Sequence, residues 1–317
     1  MNTTDAEVVR ACQRVLRDVA SDQRYAHTSQ LLVRVSGRQI FHEHWQGPAA
    51  APVFSVTKSL VATALGAMDA QQLLPDVHSP LGMTIPQLAG HAAADHTWHQ
   101  VMSMTRGAQA DGPWDSDALA LLPRGQVSHI AAAPQVTAPG SAFAYDNAGV
   151  HLLSAAATAI LDEPLADFAN RTVFEPIGAE LGAWPADPDG ITWASEGVEV
   201  CAHDLSLIGQ LWLDRGRRGS HRIIGEHFFR SMMTPHSQGG RPESCPYGYL
   251  VWLPGDMYLA GGWAGQHMLV IPRAAAVVIT LGHPRFDLGP PPHDSLPDDW
   301  RPALDLVRRH VLPALAG

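Results

Sequence analysis

The stretch that follows Pro52, FSVTKSLVATALGAMDAQQLL, has a strong helical pattern that is apolar on nearly every side. A helix without a polar face has no side to give to water. It must run through the middle of a domain with other elements wrapped around it. Gly149–Leu161 is a second stretch of the same kind. A chain of 317 residues, 46% apolar and only 16% charged, has enough material to enclose both.

The texture around these helices changes twice. Ala6–Ala20 has amphipathic helical spacing, and Leu31–Val35 and Gln39–Trp45 read as strands joined at Ser36-Gly37. From Pro75 to about Ile191 strand signals vanish, and helical stretches are punctuated by Pro and Gly. A helix is predicted over Val198–Arg217. Strands then return at Tyr247–Leu253, Met257–Ala260, Gln266–Ile271 and Ala275–Leu281, with a turn at Pro272-Arg273, and Arg301–Leu315 closes the chain as a helix. This order predicts an α/β (α+β) architecture: residues 1–74 and 192–317 form one discontinuous α/β domain, and residues 75–191 a helical domain inserted into it. A cleft between the two is the expected place for a small-molecule site.

Composition removes several function classes. The formal net charge is -10, whereas a duplex-binding protein presents a basic face, so nucleic acid is not an expected partner. No Lys/Arg cluster is available to hold an anionic membrane surface, and no apolar run approaches the ~18 residues of a membrane span. The start, MNTTDAEVVRACQRVLRDVA, lacks the basic and apolar regions of a secretory signal. Cys12, Cys201 and Cys245 are odd in number and far apart, which argues against a disulfide framework. A cytoplasmic location is the resulting expectation.

The chemistry starts at Ser55-Val56-Thr57-Lys58. Residues i and i+3 share one face of a helix. A serine hydroxyl needs a base to take its proton, and a lysine serves only as the neutral amine. Burial and the positive end of a helix both favour that form. Lys58 is the only lysine in the chain, so every other fixed cation is arginine. Arginine cannot act as a neutral base, and a position that requires a deprotonatable amine must stay lysine. Taken alone, Ser55 reads equally as a helix N-cap. Tyr145-Asp146-Asn147 stands before the second apolar helix; if extended, Tyr145 and Asn147 point the same way. Taken alone, this is an ordinary loop whose Asn147 caps a helix. Gly261-Gly262-Trp263-Ala264-Gly265-Gln266 opens the strand His267–Ile271, either as a plain hairpin turn or as a place where a substrate backbone approaches a strand edge.

Together, Ser-x-x-Lys, Tyr-x-Asn and the Gly-rich strand opening resemble the serine β-lactamase and penicillin-binding-protein superfamily. The closer resemblance is to its class C-like branch, with its esterases, D-amino-acid peptidases and 6-aminohexanoate-dimer hydrolase. Val101–Gly107, Pro139–Leu153 and Phe174–Gly178 resemble further segments of that branch, and the likeness runs from about Leu31 to Pro284. The resemblance implies a β-lactamase-like fold: an antiparallel sheet flanked by helices from both chain ends, plus the inserted helical domain. It makes Ser55 the nucleophile, Lys58 its base and Tyr145 the proton relay, with Asn147 orienting Lys58 and the substrate. The family's Lys-Thr-Gly element falls on Trp263-Ala264-Gly265, and the oxyanion hole on the N–H groups of Ser55 and Gln266. Trp263 and Ala264 replace the cation and hydroxyl that help β-lactamases hold a substrate carboxylate, which points away from β-lactams. The expected activity is hydrolysis of an ester or small amide. Acyl transfer, β-lactam or D-peptide hydrolysis, and a sensor that binds without turnover are the alternatives.

No metal or other cofactor is expected. The 17 histidines include His42-Glu43-His44 and His91, His96 and His99, but no metal-binding spacing emerges and surface histidines are the better reading. Gly-x-Ser-x-Gly and nucleotide-binding loops are missing from the sequence. Of the nine tryptophans, Trp114 and Trp263 are expected to line the cleft.

Overall fold

The computed structural model describes residues 3–283, 296 and 298–316. Pro284, the far end of the resemblance, lies outside the described residues.

A five-stranded antiparallel sheet is drawn from both chain ends. Strands β1 (Thr28–Val35) and β2 (Arg38–His44) form a hairpin near the start. Two-residue-to-three-residue strands follow: β3 (Ala50–Pro52) pairs with β4 (Glu199–Cys201), and β5 (Arg217–Arg218) with β6 (His221–Arg222). Strands β7 (Tyr258–Gly262), β8 (Gln266–Ile271) and β9 (Ala276–Gly282) complete the sheet in the order β2-β1-β9-β8-β7. Every residue of β1, β8 and β9 is buried, so these strands show no polar–apolar alternation. Helices cover them: Ala202–Leu213 packs on β1, β8 and β9, and the N-terminal helix Thr3–Ser21 packs on β2 and on the closing helical segment Leu304–Ala316. The N-terminal helix buries Val8, Ala11, Cys12 and Val15, one stripe at helical spacing.

The apolar stretch after Pro52 is the helix Val56–Ala70, with every residue from Val56 to Met68 buried. Its partner Asn147–Leu161 is buried from Ala148 to Ala157. Between Pro52 and Glu199 the described residues contain these two helices, several shorter ones and no named strand.

Two expected elements differ. Val198–Arg217 is not one helix: Glu199–Cys201 pairs with Ala50–Pro52, and the helix starts at Ala202 after Cys201. Tyr247–Leu253 is not a strand but a buried loop with isolated bridges. Leu250 takes a φ of 55°, its N–H donates to the Met102 carbonyl (3.0 Å) and its carbonyl accepts from Ser59 Oγ (2.6 Å). Leu250 thus ties the run to two helices, while a single bridge, Trp252 with Leu259, ties it to β7, so no continuous ladder forms.

Candidate active site

Ser55 sits where β3 turns into the central helix. Phe54 holds a φ of 47°, an uncommon conformation for a bulky residue and worth about 1–3 kcal/mol of local strain. Ser55 occupies the N-cap position, yet it makes no side-chain cap hydrogen bond. Its hydroxyl is turned instead to Lys58, whose Nζ donates to Ser55 Oγ at 2.8 Å. The same Nζ donates to the Ser195 carbonyl, also at 2.8 Å. Lys58 is 1% exposed. Burial pulls its pKa down to about 7, against the opposing effect of the Glu196 and Asp146 carboxylates. At neutral pH a large share of the side chain is therefore the free amine.

Tyr145 approaches from the other side. Its ring lies under Lys58 Nζ (5.1 Å to the centroid) and stacks on Trp252 (5.8 Å between centroids). Burial holds the phenol well above its usual pKa, outweighing its hydrogen bond with Ser55, and the Glu243 and Glu196 carboxylates push the same way. The phenol thus keeps its proton at neutral pH, while Lys58 is able to lose one.

These groups open onto a cleft of about 700 Å³. Aromatic walls come from Phe54, Trp193, Trp263 and Trp300; Phe54 and Trp263 meet edge to face at 5.1 Å. Gly262 is required beside the serine: a Cβ there would stand 2.3 Å from the Val53 carbonyl oxygen and 3.3 Å from the Ser55 backbone nitrogen. Three carboxylates, Asp117, Glu196 and Glu243, line the cleft, and no arginine or lysine does among the described residues. Glu243 pairs with His267 at 3.7 Å. Burial raises the Glu243 carboxyl, but His267 and Arg308 bring it below its ordinary range.

The sequence-derived residues fare differently. Ser55, Tyr145, Asn147, Trp263 and Gly265 all line the cleft, with Lys58 directly behind Ser55. Asn147 makes no hydrogen bond to Lys58: its Oδ1 is buried without a hydrogen bond to any described residue, and the amine bonds to Ser55 Oγ and the Ser195 carbonyl. Gln266 does not line the cleft. Its buried side chain donates from Nε2 to the Gly282 carbonyl (2.9 Å) and accepts from the Gly282 N–H (3.2 Å). The strand residue beside the Ser55 N–H is Gly262. Trp114 is also outside the cleft, stacked on His129 at 6.2 Å between centroids, although Ser116 and Asp117 just after it reach the wall. Sequence reasoning missed Ser195, Glu196, Glu243 and His267. A backbone carbonyl leaves no mark in sequence, and the other three stand in loops or on a strand without any repeated spacing.

The site thus brings together a serine, a buried lysine within hydrogen-bonding distance and an aromatic cleft beside an antiparallel sheet. Residues 17–288 match the Beta-lactamase family, and the chain belongs to it, within the serine hydrolase superfamily of β-lactamases and penicillin-binding proteins. Solved structures share the fold. A Bacteroides dorei protein provisionally classed as a β-lactamase has a TM-score of 0.78 at 16% identity, covering 96% of this chain and 99% of its own. A Bacillus anthracis protein provisionally classed as a 6-aminohexanoate-dimer hydrolase has 0.76 at 18%, covering 95% and 81%. EstCE1, a hydrolase with promiscuous acyltransferase activity, has 0.72 at 17%, covering 89% and 94%. No curated protein matches the chain.

Proposed function

We propose that the chain hydrolyses an ester, or a small amide, through an acyl-enzyme on Ser55. The observation that carries this is the buried Lys58 amine, 2.8 Å from Ser55 Oγ with a pKa pulled down to about 7. Lys58 takes the hydroxyl proton, and Oγ bonds to the substrate carbonyl carbon. The backbone N–H of Ser55 and the chain at Gly262–Trp263 receive the oxyanion, in place of the Gln266 N–H. The C–O bond to the leaving group breaks, Tyr145 supplies the proton that group needs, and Lys58 restores it to the phenol. Water then repeats the steps on the acyl-enzyme and releases the acid.

The cleft supports a neutral acyl group. Its described lining offers aromatic faces and carboxylates, so a substrate carboxylate finds no fixed positive partner there. The same apolar wall favours acyl transfer as a second reading, since an alcohol or amine acceptor that packs on Trp193 and Trp300 competes with water. The test is a panel of short-chain aryl esters, amides and cephalosporins, with and without added alcohol, on wild type and Ser55→Ala. Ester turnover lost in Ser55→Ala supports the reading. Cephalosporin turnover exceeding ester turnover refutes the ester assignment, and no turnover on any substrate favours a binding role.

A further inference from the structure

One buried ion pair has no part in the steps above. Arg106 and Asp146 are 2% and 4% exposed, and Arg106 Nε donates to Asp146 Oδ2 in a short contact. Burying two charges costs desolvation on both sides, which mutual attraction offsets only when further hydrogen bonds are made. On the arginine side they are lacking: Arg106 Nη1 and Nη2 are buried without a hydrogen-bond partner among the described residues. For stability alone, an apolar pair of similar volume would serve as well.

Its place in the fold suggests another use. Asp146 stands between Tyr145 and Asn147, both of which line the cleft. Its Oδ1 accepts from the Gly149 N–H at 2.6 Å and so caps the helix Asn147–Leu161. Gly149 leaves room for the pair: a Cβ there would stand 2.2 Å from Asp146 Oδ2 and 2.5 Å from Arg106 Nε. Arg106 is fixed at its carbonyl by Gln135 Nε2 (2.8 Å), and Gln135 Oε1 meets His96 Nε2 (2.8 Å).

We propose that Arg106 is a positioning residue of the catalytic centre: it holds Asp146, and with it the Tyr145–Asn147 turn, and offsets part of the negative charge that Asp146 presents to Lys58. The charged and titratable groups around this unit are few. Asp146 and Glu196 are the two carboxylates whose charge acts on Lys58. His96 feels Arg106, Asp146 and Asp95, and burial draws its ring towards the neutral form. Without Arg106, the Asp146 charge stands uncompensated and favours the ammonium form of Lys58. Without the Asp146 charge, the amine form gains. The inference rests on Lys58 acting as the base for Ser55.

The test is the rate at which a neutral fluorophosphonate labels Ser55, followed against pH. Arg106→Gln is expected to move the midpoint up by about one pH unit, and Asp146→Asn to move it down, since the asparagine keeps a cap oxygen but not the charge. Arg106→Lys is expected to bring the midpoint back towards wild type. Midpoints that move the same way in Arg106→Gln and Asp146→Asn, or slower labelling at an unmoved midpoint, overturn the proposal. If circular dichroism shows Arg106→Gln unfolded, Asp146→Asn decides alone: a lowered midpoint supports the proposal, and an unmoved or raised one overturns it. An unlabelled wild type defeats the serine–lysine reading itself, and this inference with it.

Discussion

At the scale of single residues, the account turns on two neighbouring groups with opposed proton affinities. Burial lowers Lys58 to about 7 and raises Tyr145, so in the same pH range the amine can lose a proton while the phenol keeps its own. Acylation is expected to rise with pH through about 7 as Lys58 loses its proton, which a kcat/KM profile on a neutral ester measures. Lys58→Arg keeps charge and length but removes the neutral form, and a loss of ~10²–10⁴-fold in kcat/KM is expected. The same burial weakens the fold. A lysine with its pKa depressed in the native state costs most stability below that pKa. The cost shrinks as pH rises from about 7 towards the ordinary lysine value of 10.5. Lys58→Met is therefore expected to raise Tm, and by more at pH 6 than at pH 9, as thermal melts at the two pH values will show.

At the scale of elements, the site is the junction of the β3 turn, the central helix and the β7–β8 hairpin. At Gly262 the hairpin backbone lies against that of Val53 and Ser55. Gly262→Ala puts a methyl against the Val53 carbonyl, which belongs to the backbone and cannot swing aside. Acylation is expected to fall by about 10²-fold while the fold persists, checked by labelling rate beside circular dichroism. The elements also show what was legible in the sequence. The central helix and the Gly149–Leu161 helix follow from apolar runs that admit no exposed face, and β1, β8 and β9 from apolar runs between turns. Tyr247–Leu253 misled because it has the composition of a strand, while the bonds of Leu250 to Met102 and Ser59 are visible only in three dimensions. Lys58 was legible because it is the sole lysine. Its anchor on the Ser195 carbonyl was not, since any residue type supplies one. The asparagine two residues after Tyr145 reaches the cleft, as its motif position suggests, but the lack of a hydrogen bond at its Oδ1 among the described residues left no mark in the sequence.

At the scale of the whole molecule, both chain ends build one sheet, and the residues between Pro52 and Glu199 supply helices and the Tyr145–Asn147 turn. The cleft draws on all of these, which is how Ser55, Tyr145 and Gly262, far apart in sequence, come to line one cavity. No helix among the described residues is long and apolar enough to cross a membrane. The central claim is that Ser55 is acylated with Lys58 as its base. Intact-protein mass after reaction with a fluorophosphonate probe, followed by peptide mapping, tests it most directly. The account predicts one adduct, on Ser55, formed faster as pH rises through about 7 and lost in Ser55→Ala. An adduct on another residue, or labelling unchanged in Ser55→Ala, would contradict it.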